Sequence, residues 1–380
     1  MKRMQDKVIV RAYEKGDEVG IIELMGDYWK HLTGENALKN WEWEYRQCCE
    51  ESVITVAEHD GKIMGHYSVL PMKMKCGTGE VLGAKAEGSA IHPSYRGKAG
   101  AAFLPEGEKR NLFSILINET FDRAHESGVD LIWGFPNKDA LKGQVKAGYD
   151  HMVSPMSSLI LPISLRKTTS VLLKKLPGIS ALRGSSTPWP MPSSKLDTIT
   201  VPDISAESEV RIVEVHDDLS ALKGLWERFR NENDCITIER SPDYMRWRTA
   251  GNVVLPHRIF TVEKKEEMVG LVVFTVVVHE KTIEGRITDI LGLRDHENEL
   301  NLLMEGVVQS MKKEKIHILT TRITRNETSR IYVRVLSKSG FLELPRIRVD
   351  MLVKSYGIPS EFVLSPDNWF ITNIFSEGVS

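Results

Sequence analysis

Ile91-His92-Pro93-Ser94-Tyr95-Arg96-Gly97-Lys98-Ala99-Gly100 is the stretch on which the reading of this chain turns. It leaves an expected strand over residues 80–92, crosses a basic turn of small residues and leads toward an expected helix over residues 112–127. That helix is read from Leu112, Ile115, Leu116, Glu119, Thr120 and Arg123, which recur at helical spacing. A turn of this composition directs several backbone N–H groups inward. With the N-terminus of the next helix it makes an anion site suited to a pyrophosphate. The pattern is neither a Walker A loop nor a GxGxxG fingerprint.

Working outward, a strand is expected at residues 130–135, then a helix at 138–147 stopped by Gly148. Upstream, an amphipathic helix at 17–31 precedes a hairpin of strands at 53–58 and 62–71. Meandering strands followed by a β-α-β-α run predict a mixed central sheet flanked by helices, an α/β fold of the mixed α+β kind. The same order recurs further on. Glu58 and Glu263, like Gly65 and Gly270, stand 205 residues apart in matching strand–turn–strand segments. Trp43 and Trp247 are offset by 204, Asn137 and Asn326 by 189, and Gly148-Tyr149 and Gly340-Phe341 by 192. Ordered matches with a falling offset predict a duplication whose second copy lacks a segment. The expected division is residues 1–153, a linker at 154–208 rich in Ser, Pro, Thr and Leu, and residues 209–380.

Composition narrows the function. At 380 residues the chain exceeds what one core usually supports, about 250–300. Fifty Lys+Arg against 52 Asp+Glu leave a formal charge of −2, which argues against a dedicated nucleic-acid binder. The longest apolar stretch, Met268 to Val278, falls far short of the roughly 20 residues of a membrane span and reads as a buried strand. Residues 1–6 lead into a charged segment without a signal-peptide core. Cys48, Cys49, Cys76 and Cys235 form no CxxC or CxxH pair, so a reduced, cytoplasmic protein without a metal is expected. The linker places Arg166, Lys167, Lys174, Lys175 and Arg183 among leucines. This reads as a basic-apolar segment packed over its own domains, with a membrane-surface helix as the alternative.

Three motifs, His92-Pro93-Ser94-Tyr95-Arg96-Gly97-Lys98, Gly134-Phe135-Pro136-Asn137 and Lys146-Ala147-Gly148-Tyr149, resemble the GNAT superfamily of acyl-CoA N-acyltransferases. The closest subgroup is the two-domain acetyltransferases. The resemblance implies two tandem GNAT-like domains, acetyl-CoA as acyl donor and no metal. The motifs say almost nothing about the acceptor; a small-molecule amine is expected, with no nucleic-acid partner and no integral membrane association on the charge and hydropathy above, and a homodimer is left open. Ala90, Ile91 and His92 would run along the pantetheine arm, and Arg96, Gly97, Lys98, Ala99 and Gly100 would donate N–H groups to the pyrophosphate. Asn137 would stand where the next strand splays away from the first. Glu87 is the expected general base, His92 its competitor, and a backbone N–H near His92 the oxyanion donor.

Two departures from the family pattern bear on this. Residues 101–111 interrupt the run from turn to helix, so Lys109, Arg110 and Asn111 become candidates for the second half of the phosphate site, with the intervening residues as a flap. Gln144 stands where relatives carry a thiolate-protonating Tyr, which leaves Tyr149 or water as the acid. The second half has no counterpart of residues 95–111, so one active and one structural copy are expected, with residues 368–373 lining the acceptor cleft. The alternatives are a non-catalytic CoA-sensing protein and an aminoacyl-tRNA-dependent transferase. The turn at His92–Gly100 counts against the latter.

Overall fold

The computed structural model describes residues 7–26, 34–48, 50–164, 191–200, 209–216, 218–252, 254–279, 282–344 and 347–375. The chain divides into two compact units, Met1–Ser154 with Val349–Asn368, and Pro155–Arg348 with Trp369–Val379. The basic linker residues Arg166, Lys167, Lys174, Lys175 and Arg183 lie outside the described residues.

In the first unit the order is β1 (Ile9–Ala12), α1 (Asp17–Met25), α2 (Glu35–Arg46), β2 (Val53–His59), β3 (Lys62–Gly77) and β4 (Gly79–Ile91). Then come α3 (Leu112–Glu126), β5 (Leu131–Gly134), α4 (Lys138–Lys146) and the start of β6 (Asp150–Pro162). Strands β1 to β4 form an antiparallel meander and β5 joins β4 in parallel. On the far side of β5 lies a late segment of the chain, the strand Ile347–Ser355, antiparallel with Leu352 opposite Gly134. The β2–β3 turn is Asp60-Gly61, with φ of 51° and 71°, the left-handed pair that a two-residue hairpin favours. Alternation along the strands turns Tyr67, Val69, Ala84 and Ile91 to one face, where Leu112, Ile115, Leu116 and Phe121 of α3 cover them. Each such large side chain contributes about 1.5–3 kcal/mol by leaving water.

The insertion at 101–111 is not the loose flap its polar sequence suggested. Leu104 is 4% exposed and sits in the same core as Tyr95 and Leu112. The Val8 N–H donates to the Phe103 carbonyl (2.9 Å), and the Phe103 ring lies 4.6 Å from that of Tyr95. Two apolar residues near the start of the segment, Phe103 and Leu104, fasten it to the unit.

The second unit runs β7 (Val210–Val215), α5 (Leu222–Glu232), β8 (Cys235–Ile238), α6 (Pro242–Arg248), β9 (Arg258–Lys264), β10 (Glu267–His279) and β11 (Thr282–Gly292). It continues through α7 (Glu297–Lys313), β12 (Ile318–Thr324) and α8 (Arg330–Lys338). β7, β9, β10 and β11 pair antiparallel, β12 joins β11 in parallel, and residues 156–162 of β6 pair antiparallel with β12. The expected linker start at 154 therefore falls inside a strand. The segment Met268–Val277 is buried throughout, as its β-branched run suggested.

The register confirms the duplication. Both hairpins carry a bulge at the same place, between Ala57 and Glu58 and between Val262 and Glu263. A second shared bulge lies between Tyr67 and Val69 in one unit and between Val273 and Phe274 in the other. Lys265 and Glu266 take positive φ at the turn where the first copy has Asp60-Gly61. The two units are tandem copies, each a mixed sheet flanked by helices.

Candidate active site

In the first unit β4 and β5 pair over three positions, Gly83–Leu131, Ala84–Ile132 and Lys85–Trp133, and no further pair follows. The bulge on β4 falls just beyond this point, with Ser68 facing both Glu87 and Gly88. The Ser68 hydroxyl donates to the Glu87 carbonyl and to that of Gly88 (3.2 Å). Gly88 has φ of +67°, and a Cβ there would come within 2.2 Å of the Tyr45 hydroxyl, so a side chain is excluded twice over. The bulge bends β4 away and leaves its last residues with one open edge.

Which backbone groups face that edge follows from the ladder. The His92 N–H donates to the Met64 carbonyl (2.8 Å), so it is not the oxyanion donor. Alternation then points the Ile91 and Ser89 N–H groups to the open edge. The Ile91 carbonyl shares that edge and accepts from Arg96 Nε (2.7 Å). The His92 ring is exposed, and its Nδ1 accepts from the Ser94 N–H (3.4 Å). Pro93–Tyr95 form a tight turn, anchored by a hydrogen bond between the Tyr95 hydroxyl and His59 Nδ1 (2.7 Å). Gly97, at φ +56°, then opens one helical turn that ends at Gly100. A Cβ on Gly100 would stand 2.0 Å from the Tyr95 carbonyl oxygen, so only glycine lets the turn close. Lys98 and Ala99 lie on this turn, and their side chains are outside the described residues.

The other expected phosphate ligands have local roles. Arg110 is ion-paired to Glu108 (2.8 Å), and its hydrogen bonds hold the Glu108 carboxyl down at about 2. The Asn111 amide oxygen caps α3 by accepting from the Ser114 N–H (2.8 Å). Asn137 caps α4, accepting from Asp139 (3.1 Å) and Ala140 (2.8 Å). It stands three residues beyond the end of β5, and its side chain serves the helix. Tyr149 is placed in the core rather than at the open edge. It is 3% exposed, shares a hydrogen bond with Tyr67 (2.8 Å) and packs edge-on to Phe121. Burial pushes the Tyr149 hydroxyl well above its usual value and that of Tyr67 to about 12, so both stay protonated at neutral pH. Gln144 donates to the Tyr67 hydroxyl (3.3 Å) within the same buried group.

The opposite face of the sheet carries His66, Ser68, Lys85 and Glu87, turned toward α2 by the alternation that buries Tyr67 and Val69 on the other side. Glu87 forms an ion pair with Lys85. The Tyr45 hydroxyl, which would meet any side chain on Gly88, is raised well above its usual value by burial and by the charges of Glu44 and Glu87. The His66 ring is kept neutral, pushed down to about 4 by burial alone. Lys85, His66 and Tyr45 were not read from the sequence. The signal available was the spacing Lys85-x-Glu87, which on a strand puts both charges on one face.

The second unit makes the same opening and fills it. β11 and β12 pair only at Glu284–Ile318, Gly285–Leu319 and Arg286–Thr320. Beyond that point residues 369–375 enter. The Thr324 N–H donates to the Ile371 carbonyl (2.9 Å), the Thr372 hydroxyl to Asp289 (2.7 Å) and the Asn373 amide to the Ile287 carbonyl (3.3 Å). Asp289 also pairs with Arg240, both fully buried, and the Arg240 guanidinium lies 5.4 Å from each of the Phe370 and Phe375 rings. Of residues 368–373, expected to line an acceptor cleft, 369–373 are instead core of the second unit: Trp369 and Phe370 are 0% exposed. After Leu293 the chain enters α7 through a single short turn, with no equivalent of His92–Gly100.

An open parallel pair, a bulge, and a basic glycine turn after the bulged strand define a class, and comparison with known proteins agrees. Residues 9–151 match the family model described as Acetyltransferase (GNAT) domain. The match lies within the first unit and covers 143 of the 380 residues, so it is the first copy that is similar to a GNAT domain. A GCN5-related N-acetyltransferase from Anabaena variabilis ATCC 29413 superposes with a TM-score of 0.59 at 14% identity, over 92% of this chain and 73% of that one. A conserved protein of unknown function from Enterococcus faecalis V583 gives 0.58 at 11% identity, over 92% and 73%. Saccharomyces cerevisiae N-myristoyltransferase with bound myristoyl-CoA gives 0.53 at 10% identity, over 97% and 90%. No curated protein matches the sequence. Among the described residues there is no cluster of side chains able to hold a metal ion and no helix long and apolar enough to cross a membrane.

Proposed function

We propose that the first unit is an acyl-CoA-dependent N-acyltransferase, with acetyl-CoA as donor and a small amine as acceptor. The observation that carries this reading is the open edge of β4 beyond Lys85, next to the turn at Arg96–Gly100. Ser89 and Ile91 present N–H groups to that edge, where they hold an extended amide-bearing arm and polarise a thioester carbonyl. The backbone of the Gly97–Gly100 turn and the Arg96 guanidinium favour the pyrophosphate. The donor supplies an activated acyl carbon on a thiol that leaves readily.

The chain's own chemistry is proton handling. An alkyl amine is mostly protonated at neutral pH, and Glu87, on the bulge at the mouth of the opening, takes its proton. The freed amine attacks the acyl carbon, the C–N bond forms as the C–S bond breaks, and the second proton that the nitrogen sheds on becoming an amide passes through solvent to the thiolate. Tyr149 has no part in this, because its hydroxyl is held in the core. His92 remains the competing base.

Thiol release from acetyl-CoA over an amine panel tests the reading. Glu87→Gln keeps the size of the side chain and removes its basicity. Turnover should fall about 10²–10⁴-fold while acetyl-CoA affinity hardly changes, and the loss should shrink at high pH. Equal turnover by wild type and Glu87→Gln on the best acceptor transfers the role to His92 or a water. Acetyl-CoA binding without any turnover favours the CoA-sensing alternative.

A further inference from the structure

Lys85 and Glu87 share the α2 face of β4, and their ion pair sits where β4 parts from β5, with side chains 9% and 6% exposed. Beside them the His66 ring, 3.3 Å from where a Cβ of Gly88 would stand, is 1% exposed, and neither ring nitrogen has a hydrogen-bond partner. Asn40 lies on the buried side of α2 with Glu44 and Tyr45; it is 0% exposed, and both of its amide atoms lack partners. Buried polar atoms are nearly always paired, so the unpaired His66 nitrogens next to the charge pair mark a position that a small polar molecule would satisfy. We infer that the acceptor is an amine carrying an anionic group close to its nitrogen, as an amino acid does, with the carboxylate on Lys85 and the ammonium on Glu87. This names the acceptor class of the site proposed above and rests on that reading.

Charge accounting decides between acceptor types. When Glu87 takes the ammonium proton it becomes neutral, and its pair with Lys85 is lost. A plain alkylamine then leaves the Lys85 ammonium buried and alone, which is the costly outcome of breaking a buried pair. A carboxylate on the acceptor takes Glu87's place, so one ion pair replaces another while the amine attacks the thioester. One ammonium proton ends on Glu87, the acyl group ends on nitrogen, and the second proton shed by nitrogen passes through solvent to the thiolate. Lys85 sets specificity in this scheme and Glu87 moves the proton.

Matched acceptors test the inference on the full chain: phenylalanine against phenethylamine, lysine against cadaverine, and serine against ethanolamine, each read as thiol release from acetyl-CoA. The best amino acid should exceed its decarboxylated partner at least about tenfold in kcat/KM, mostly through KM, which corresponds to about 1.4 kcal/mol. Lys85→Met should abolish that preference and Lys85→Arg should restore it. If Lys85→Met does not fold, as circular dichroism would show, the wild-type preference and its retention in Lys85→Arg decide the matter. Decarboxylated amines that serve as well as the amino acids, or a preference that survives Lys85→Met, overturn the inference and leave the acyltransferase standing. Release with none of the six overturns both.

Discussion

Replacing Leu104 by alanine separates a fastened insertion from a loose one. The side chain is 4% exposed and packs in the core cluster that holds Tyr95, Leu112 and Leu116, while Glu106, two residues on, is exposed. Truncating a buried leucine removes its transfer free energy and leaves a cavity, costing about 2–5 kcal/mol. For a unit of this size each kcal/mol lowers the melting temperature by about 2–4 °C, so the transition of the first unit should fall by roughly 4–20 °C. Scanning calorimetry on the full chain is the assay, because two units need not melt as one. Glu106→Ala, in the same segment, should shift it by less than about 0.5 kcal/mol. Leu104→Ala melting like wild type would refute the reasoning and return residues 101–111 to the status of a flap.

Two further outcomes follow from the same structure. The His66 ring is pushed down to about 4 in the folded chain against an ordinary value of 6.5. The unfolded chain therefore binds a proton that the folded one refuses, and stability held above pH 6.5 is lost as the pH falls toward about 4. The gap is worth about 3 kcal/mol. Stability measured against pH should be flatter in His66→Phe over that window, and parallel profiles would contradict the assignment. Residues 1–154 expressed alone lack the strand that pairs with Leu131–Gly134, so they should show no cooperative unfolding transition. A sharp calorimetric transition from that fragment would show that the late strand is dispensable.

Much of this architecture was legible because it is local. The Asp60-Gly61 turn, the helical spacing from Leu112 onward and the Gly148 stop each depend on a few neighbouring residues, and both helices formed within a residue or two of their expected ends, while the strand expected at 62–71 runs on to Gly77. The duplication was legible through Glu58/Glu263 and Gly65/Gly270, which turn out to hold equivalent register positions beside equivalent bulges. Partner choice between distant segments was not. Alternation along residues 349–355 announces a strand and its buried face but does not say which neighbour it will meet, and the same is true of residues 156–162. Residues 368–373 were read as a cleft lining for a related reason: an aromatic-rich segment suits a ligand cleft and a core equally well, and only the carbonyls and side chains it meets distinguish them. Asn137 shows a competition between roles, since an Asn ahead of a helix caps it by default. Tyr149 was misassigned because a sequence does not reveal that Tyr67 and Phe121 close around it.

The central claim is that one opening is available and the other is filled by the chain itself. Titration calorimetry of the full chain with acetyl-CoA tests it most directly. The account predicts one site per chain, weakened strongly by Gly100→Val, whose new Cβ would stand against the Tyr95 carbonyl, and untouched by substitutions on the short turn after Leu293. Two equivalent sites, or a single site indifferent to Gly100→Val, would contradict it.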